Sequence, residues 1–237
     1  MKKTLALVAS LLIPASFAAA DYYVKSKTHT DAYSMMGQSQ PAKDGVQEQW
    51  IGPDRFAYIS PEMSVLIDLK KSEVVFINHK SRTYTPASLP LDISKILPPQ
   101  MAQMAGMMKM TASVKPLETT KKIGSWTCRG YEAAITMMMP ITMTVWTSTN
   151  VLFDVSLVMD KYMNSVLQGT MMLDEATVAE LKKIKGYWIA SETVIDMMGA
   201  KVRSTSEVVE ISEKTPSADV FKIPQGYAKS DTLAMTR

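Results

Sequence analysis

The chain has 237 residues, of which 46% are hydrophobic, 26 are lysine or arginine and 23 are aspartate or glutamate. Without Lys2 and Lys3, which belong to the terminal segment described next, 24 basic residues remain against the 23 acidic ones. This balance argues against a nucleic-acid-binding protein, which needs a basic surface. The single cysteine, Cys128, excludes an internal disulfide.

The N-terminal segment has the pattern of a cleaved secretory signal. A basic start precedes an apolar stretch, residues 5–13, that is too short to span a bilayer, and a small-residue cleavage site ends at Ala20. An uncleaved anchor is the alternative, which Pro14 fits poorly. We therefore expect residues 1–20 to be a signal peptide, and residues 21–237 to be a periplasmic protein with no transmembrane segment.

The first part of the expected mature chain predicts an antiparallel meander of short strands. Segments rich in β-formers alternate with turn residues such as those at 52–54 and 60–61. Gly37 and Pro41 lie among polar side chains, so residues 35–44 are predicted to be a loop. The predicted strands are residues 22–30, 46–51, 55–60, 64–69, 73–78 and 82–85.

A helical excursion from the sheet is predicted at about residues 90–110. Several prolines between Pro86 and Pro99 lead into residues 100–109, and proline is tolerated in the first turn of a helix. Methionines then recur at helical spacing and form one apolar stripe, which indicates a short amphipathic helix. These methionines are Met101, Met104, Met107 and Met108.

The remaining chain predicts further strands and two helices. Residues 155–167 and 174–184 form the helical region at about 155–185, and the second helix is expected to end at Gly186. The tail after Pro224 is expected to be loosely attached. No break in composition divides residues 21–237, so a single domain is expected. The predicted strands are residues 111–118, 126–138, 141–146, 187–197 and 201–211, with Met139-Pro140 as a turn.

Several segments of the chain resemble a family of exported bacterial domains of unknown function that are grouped with the lipoprotein-carrier (LolA/LolB-like) fold. The resemblance covers most of the expected mature chain. It is carried by residues 46–55, Lys121-Lys122-Ile123-Gly124 with Cys128 and Tyr131, Val145-Trp146, residues 181–186, Asp196-Met197-Met198-Gly199 and residues 221–227.

The resemblance implies a mainly β (α+β) fold. Its centre would be a strongly curved antiparallel sheet, an unclosed half-barrel with short helices on the concave face. In the carriers that face receives acyl chains. No ligand-binding residue is carried over to this chain, because the shared motifs are structural.

The residues offer little support for an enzyme. The two histidines, His29 and His79, fall in different predicted strands, and no Gly-x-Ser-x-Gly motif occurs. Cys128 is best interpreted as a small apolar residue in a strand. We therefore expect a non-catalytic protein without a cofactor.

The 20 methionines are the most informative feature of the composition. Methionine is flexible and polarizable, so it suits an adaptable apolar wall, although the same residues also fill closed cores. We expect such a wall to bind an apolar ligand, a lipid or an acyl chain. The candidate wall is Met101, Met104, Met107, Met108, Met137, Met139 and Met143, with Trp126 and Trp146 as rim aromatics.

Two other functions are compatible with the sequence. Thioethers bind Cu(I), so Met101, Met104 and Met107 form an alternative site for Cu(I) or Ag(I). Open sheet edges would also suit an envelope assembly or chaperone-like protein that pairs with partner strands. The sequence does not identify a protein partner.

Overall fold

The protein is described by a computed structural model that covers residues 21–35, 37–105, 110–136, 139–156, 158, 161–162, 174–197 and 200–234. The predicted signal peptide lies outside the described residues, as do most of the predicted helix at 155–167 and the turn residues Met198 and Gly199.

Fourteen strands and two α-helices are described. The strands are β1 (Asp21–Thr30), β2 (Tyr33–Met35), β3 (Gln38–Gln40), β4 (Lys43–Ile51), β5 (Arg55–Ile59), β6 (Met63–Asp68), β7 (Glu73–Asn78), β8 (Thr83–Ser88), β9 (Thr111–Ile123), β10 (Trp126–Thr136), β11 (Pro140–Ser148), β12 (Tyr187–Met197), β13 (Ala200–Lys214) and β14 (Ala228–Lys229). The helices are α1 (Pro99–Ala105), α2 (Glu175–Leu181) and a short 3-10 helix (Ile93–Lys95).

Twelve of these strands form one large sheet in the order β14-β8-β7-β6-β5-β4-β1-β13-β12-β11-β10-β9. All neighbours are antiparallel except β14, which runs parallel to β8. The N-terminal strand β1 lies at the centre and joins two meanders, β4–β8 on one side and β13–β9 on the other. Among the described strands the two ends of the sheet, β14 and β9, do not pair with each other, so the mainly β, unclosed antiparallel architecture is confirmed.

Alternating apolar residues let the sheet bury side chains on both faces. In β7, Val74 belongs to the larger cluster on one face, the inner core, while Val75 belongs to a second cluster on the other. The inner core also includes Val24 and Ile51, and both are fully buried. Successive side chains of a strand point to opposite faces, so a strand that is covered on both faces needs apolar residues at consecutive positions.

Two predictions about irregular segments were wrong. Residues 35–44, predicted as a loop, include the short hairpin of β2 and β3 and the start of β4. The tail after Pro224 is attached to the sheet: β14 pairs with β8, and the Leu233 N–H donates to the Ile96 carbonyl at 2.7 Å. Both segments are polar and exposed along much of their length, so alternation gave no signal for them.

Helix α2 is shorter than predicted: it ends at Leu181, five residues before the predicted stop. Gly186 instead lies in the turn into β12, where its φ is +95°. The described part of α1 ends at Ala105, and the rest of its predicted range lies outside the described residues. Along the part of the chain that the structure describes, no helix has the length and hydropathy needed to cross a bilayer.

Candidate functional site

The long strands of the second meander present very different residues on their two faces. Residues that are paired directly across neighbouring strands have side chains on the same face of the sheet. Such pairs continue without a break through six strands of this region, in the order β1, β13, β12, β11, β10 and β9. One row of partners is His29, Thr205, Glu192, Thr144, Glu132 and Lys115. The next row, on the opposite face, is Thr30, Ser204, Thr193, Met143, Ala133 and Val114.

The second row lies on the same face as the inner core. In β1, Val24 belongs to the inner core, and Thr28 and Thr30 follow it at the even spacing that keeps side chains on one face. A further inner row runs through Thr28, Ser206, Ser191, Val145 and Tyr131. The inner face therefore continues past the inner core into this second meander.

Six hydroxyl side chains form the middle of this face, and we call them the hydroxyl strip. All six are half-buried, and the Thr30 and Ser204 hydroxyls are hydrogen-bonded at 3.1 Å. A hydroxyl both donates and accepts, so the strip can satisfy polar groups of either kind. Its members are Thr28, Thr30, Ser191, Thr193, Ser204 and Ser206.

An apolar region, here called the α2 wall, lies beyond the strip. It comprises Val114, Tyr131, Ala133 and Ile184, with Met143 and Leu181 packed against them. The members come from three adjacent strands and from α2 with the turn after it. Met143 is half-buried and lies in the row between the hydroxyl of Thr193 and the methyl of Ala133.

Helix α2 is attached near the start of β9 by side-chain hydrogen bonds to the backbone of Met110, just before the strand, and of Val114 within it. The Thr177 hydroxyl donates to the Met110 carbonyl at 3.0 Å, and the Glu180 carboxylate accepts from the Val114 N–H at 3.0 Å. At the helix start, Asp174 accepts from the Thr177 N–H as an N-cap. These bonds position α2 at the sheet end that carries the wall.

Charged groups of this region lie on the outer face. His29 contacts Asp44 at 2.7 Å and Asp31 at 3.2 Å, and the hydrogen bond to Asp44 raises the pKa of His29. Arg203 donates to Glu192 at 2.8 Å, which lowers the pKa of that carboxyl. On the described inner rows, no charged side chain occurs between Thr30 and Val114 or between Thr28 and Tyr131.

One lysine does adjoin the inner row at its other end. Lys43 pairs with Thr30 from β4, but its side chain is exposed and forms an ion pair with Glu62. Its charge is therefore balanced at the margin of the face, outside the hydroxyl strip.

The opposite end of the inner face is held by buried polar contacts. The Tyr162 hydroxyl donates to the Gly52 carbonyl at 2.6 Å, and burial raises its pKa above the usual range. The Tyr187 hydroxyl donates to the Gln49 side chain at 2.8 Å. Asp21 lies on the opposite face of β1, the face of Tyr23; it is 5% exposed and forms an ion pair with Arg55 at 2.5 Å. The two tyrosine hydroxyls thus link the end of β4 to Tyr162 and to β12.

The predicted methionine wall is only partly described. Met143 lies in the α2 wall, whereas Met139 is half-buried just before β11. Met101 is a half-buried residue of α1, which contacts the 3-10 helix. The backbone of Met104 belongs to α1. Met107, Met108 and Met137 lie outside the described residues.

The two predicted rim tryptophans lie beside the inner core. Trp126 and Trp146 are both partly buried and pack against that cluster. The Trp146 ring lies close to Gly130, where a Cβ would be 3.0 Å from the ring, and the Lys121 ammonium is 5.6 Å from the ring centroid. Cys128 is fully buried in the same cluster, and burial raises the pKa of its thiol.

The hydroxyl strip was not predicted from the sequence. The signal was present as hydroxyl residues two apart in three separate strands, at 28 and 30, 191 and 193, and 204 and 206. Only the alignment of β1, β13 and β12 combines these pairs into one surface.

No model of a protein family matches the chain, and no curated protein matches it. Among solved structures, the chain is similar to PNGF-II at 13% sequence identity and a TM-score of 0.40. The match covers 90% of this chain and 31% of the other, so this chain spans about a third of the length of that protein. At this identity and score the similarity carries no argument about fold or activity.

Proposed function

We propose that the protein is a non-catalytic periplasmic carrier that binds an apolar ligand, a lipid or an acyl chain, on the inner face of its sheet. The observation that carries the proposal is the division of side chains between the two faces. The same strands direct charges outward and hydroxyl or apolar groups inward. An apolar ligand gains most from a surface on which no ion must be desolvated.

The α2 wall is the part of this face suited to a hydrocarbon chain. Met143 is flexible and half-buried, and Tyr131 and Ile184 pack beside it. The hydroxyl strip is suited to an uncharged polar group, such as an ester or a hydroxyl, because its members donate and accept hydrogen bonds. The ligand that fits both regions is a neutral amphipathic lipid.

The proposal includes the finer architecture. The sheet would curve around the inner face as a half-barrel in one domain, with α1 and α2 on the concave side. The packing of Leu181 and Ile184 against Val114, Tyr131 and Ala133 supports that position for α2. The resemblance of the sequence to lipoprotein-carrier-like domains agrees with this arrangement, because those carriers hold acyl chains on the concave face.

Lipid analysis of the protein purified without detergent from its own envelope tests the function. Native mass spectrometry should show the chain with an added mass that organic extraction identifies as an uncharged lipid. A protein that carries no lipid, and that gives no fluorescence gain with an apolar dye, would overturn the proposal.

A further inference from the structure

A segment near the C-terminus covers the sheet on the face opposite the inner core. We call residues 217–230 the C-terminal strap. Val220, Phe221 and Tyr227 of the strap pack on a buried apolar cluster. The cluster consists of Tyr23, Trp50, Ala57, Leu66, Val75 and Ile77.

The backbone attachment of the strap is short. β14 is a two-residue parallel strand on β8, and the Ala228 N–H donates to the Arg82 carbonyl at 3.0 Å. Towards the other end, the Arg55 guanidinium lies 4.4 Å from the centroid of the Phe221 ring. The Ser230 N–H also donates to the Tyr84 carbonyl at 2.8 Å. Among the described residues, the other contacts of the strap with the sheet are made by side chains.

His79 is the central one of these contacts. Its Nδ1 lies 3.0 Å from the Tyr227 hydroxyl, and its Nε2 lies 2.8 Å from the Ser64 hydroxyl. The His79 and Tyr227 rings meet edge to face with centroids 5.8 Å apart. The imidazole thus connects the strap to β6 through two neutral hydroxyl groups.

The surroundings of His79 disfavour the protonated ring. Burial lowers the pKa of His79, and both ring partners are uncharged. The backbone N–H of His79 donates to the Glu62 backbone carbonyl at 2.9 Å, and the Glu62 carboxylate forms an ion pair with Lys43. The titratable and charged groups nearest to His79 along the surrounding elements are Glu62, Lys80, Arg82, Tyr84, Tyr227 and Lys229. Further along the same elements are Asp68, Glu73, Asp219 and Lys222.

We propose that the C-terminal strap is an acid-sensitive cover latched by His79, and that protonation of the ring favours an open strap with the aromatic cluster exposed. The indole nitrogen of Trp50 supports this: it is a buried side-chain donor for which the described residues supply no partner. An open strap would give that N–H access to water, which offsets part of the cost of opening.

The pH range follows from the direction of the shift. In the open strap, His79 would titrate near the ordinary value of about 6.5. In the closed strap its pKa is lower, so the open form binds more protons in acid. The contribution of His79 to the free energy of strap closure is fully present above about pH 6.5 and is lost as the pH falls below that value.

Hydrogen exchange of the full chain, followed by mass spectrometry of strap peptides at pH 7.5 and 5.0, tests the proposal. After correction for intrinsic rates, we expect protection of residues 217–230 to fall about three- to tenfold in acid. Peptides of the β12–β13 hairpin should keep their protection.

Two glutamine variants separate the latch from general acid effects. His79→Gln should abolish the pH dependence of the strap, and His29→Gln, which changes the other histidine of the chain, should retain it. Titration of His79 by NMR in the unmodified protein provides a test that does not depend on a variant folding. Equal strap protection at both pH values, or a pH dependence that survives in His79→Gln, would overturn the proposal.

Discussion

The carboxylate of Asp21 is a buried charged group at the first residue of β1, the central strand. Its side chain is 4% exposed, whereas that of its partner Arg55 is 48% exposed. The pair connects β1 to the start of β5, and Arg55 also contacts Phe221 of the strap. One ion pair therefore connects three parts of the molecule.

Replacing Asp21 by Asn should destabilise the protein by about 1–3 kcal/mol, because the buried carboxylate loses its charge and Arg55 loses its counter-ion. Urea unfolding followed by circular dichroism measures the change. The matched control is Lys70→Ala, which removes the exposed pair with Asp54 and should cost less than about 1 kcal/mol. Equal losses for the two variants would contradict the role given to burial.

Gly186 is a position where the backbone requires glycine. Its φ is +95°, and a Cβ would lie 2.9 Å from the Ser148 backbone. We expect Gly186→Ala to cost about 2 kcal/mol or more in the free energy of unfolding, from strain and overlap together. Gly37→Ala has a similar φ of +78° but open space, so it should cost only about 1 kcal/mol. Thermal unfolding of both variants tests whether the close approach adds to the strain.

At the scale of elements, α2 shows how a seven-residue helix is held in place. It is too short to be stable alone and depends on tertiary contacts. Thr177 and Glu180 lie three apart, so they share one side of the helix and reach the backbone near the start of β9 together. The position of α2 beside the α2 wall thus depends on the side chains of Thr177 and Glu180.

Replacing Thr177 by Val should weaken the attachment of α2, because the Met110 carbonyl loses its hydroxyl donor while side-chain volume is kept. We expect a loss of about 1–2 kcal/mol in stability and faster hydrogen exchange at the start of β9. Thr177→Ser keeps the hydroxyl and should retain most of the protection. Unchanged exchange in the Val variant would show that α2 is held by other contacts.

The strands were largely predictable because alternation and turn residues are local signals. The predicted limits of β7 agree with the structure, and those of β12 do as well. The described parts of α1 and α2 lie where helices were predicted, but α2 was predicted too long, because an apolar stripe does not show where a helix ends. Hairpin β2–β3 was missed because Gln38–Gln40 is exposed throughout.

For the whole molecule, the order of strands was beyond the reach of local patterns. β1 pairs with β13, so Asp21 is opposite Lys214, and no property of either segment specifies the other. The strap and tail were missed for the same reason, since their partners, such as His79, β8 and Ile96, are distant in sequence. Nonlocal pairing also decides the site: alternation places Met143 on one face of β11, but only the assembled sheet shows the hydroxyl strip beside it.

The central claim is that the inner face binds an uncharged apolar ligand, and two adjacent residues of β11 test it. Met143 lies on the inner face in the α2 wall, and Thr144 lies on the outer face between Glu132 and Glu192. A lysine at the first position would place a charge against the ligand, whereas a lysine at the second would lie beside two carboxylates.

The most direct measurement is a fluorescence titration of Met143→Lys and Thr144→Lys with an uncharged apolar dye, after circular dichroism has confirmed that both fold. We expect Met143→Lys to weaken the dye affinity by about tenfold or more, and Thr144→Lys to bind the dye as the unmodified protein does. Equal affinity in the two variants, or a larger loss for Thr144→Lys, would contradict binding on the inner face.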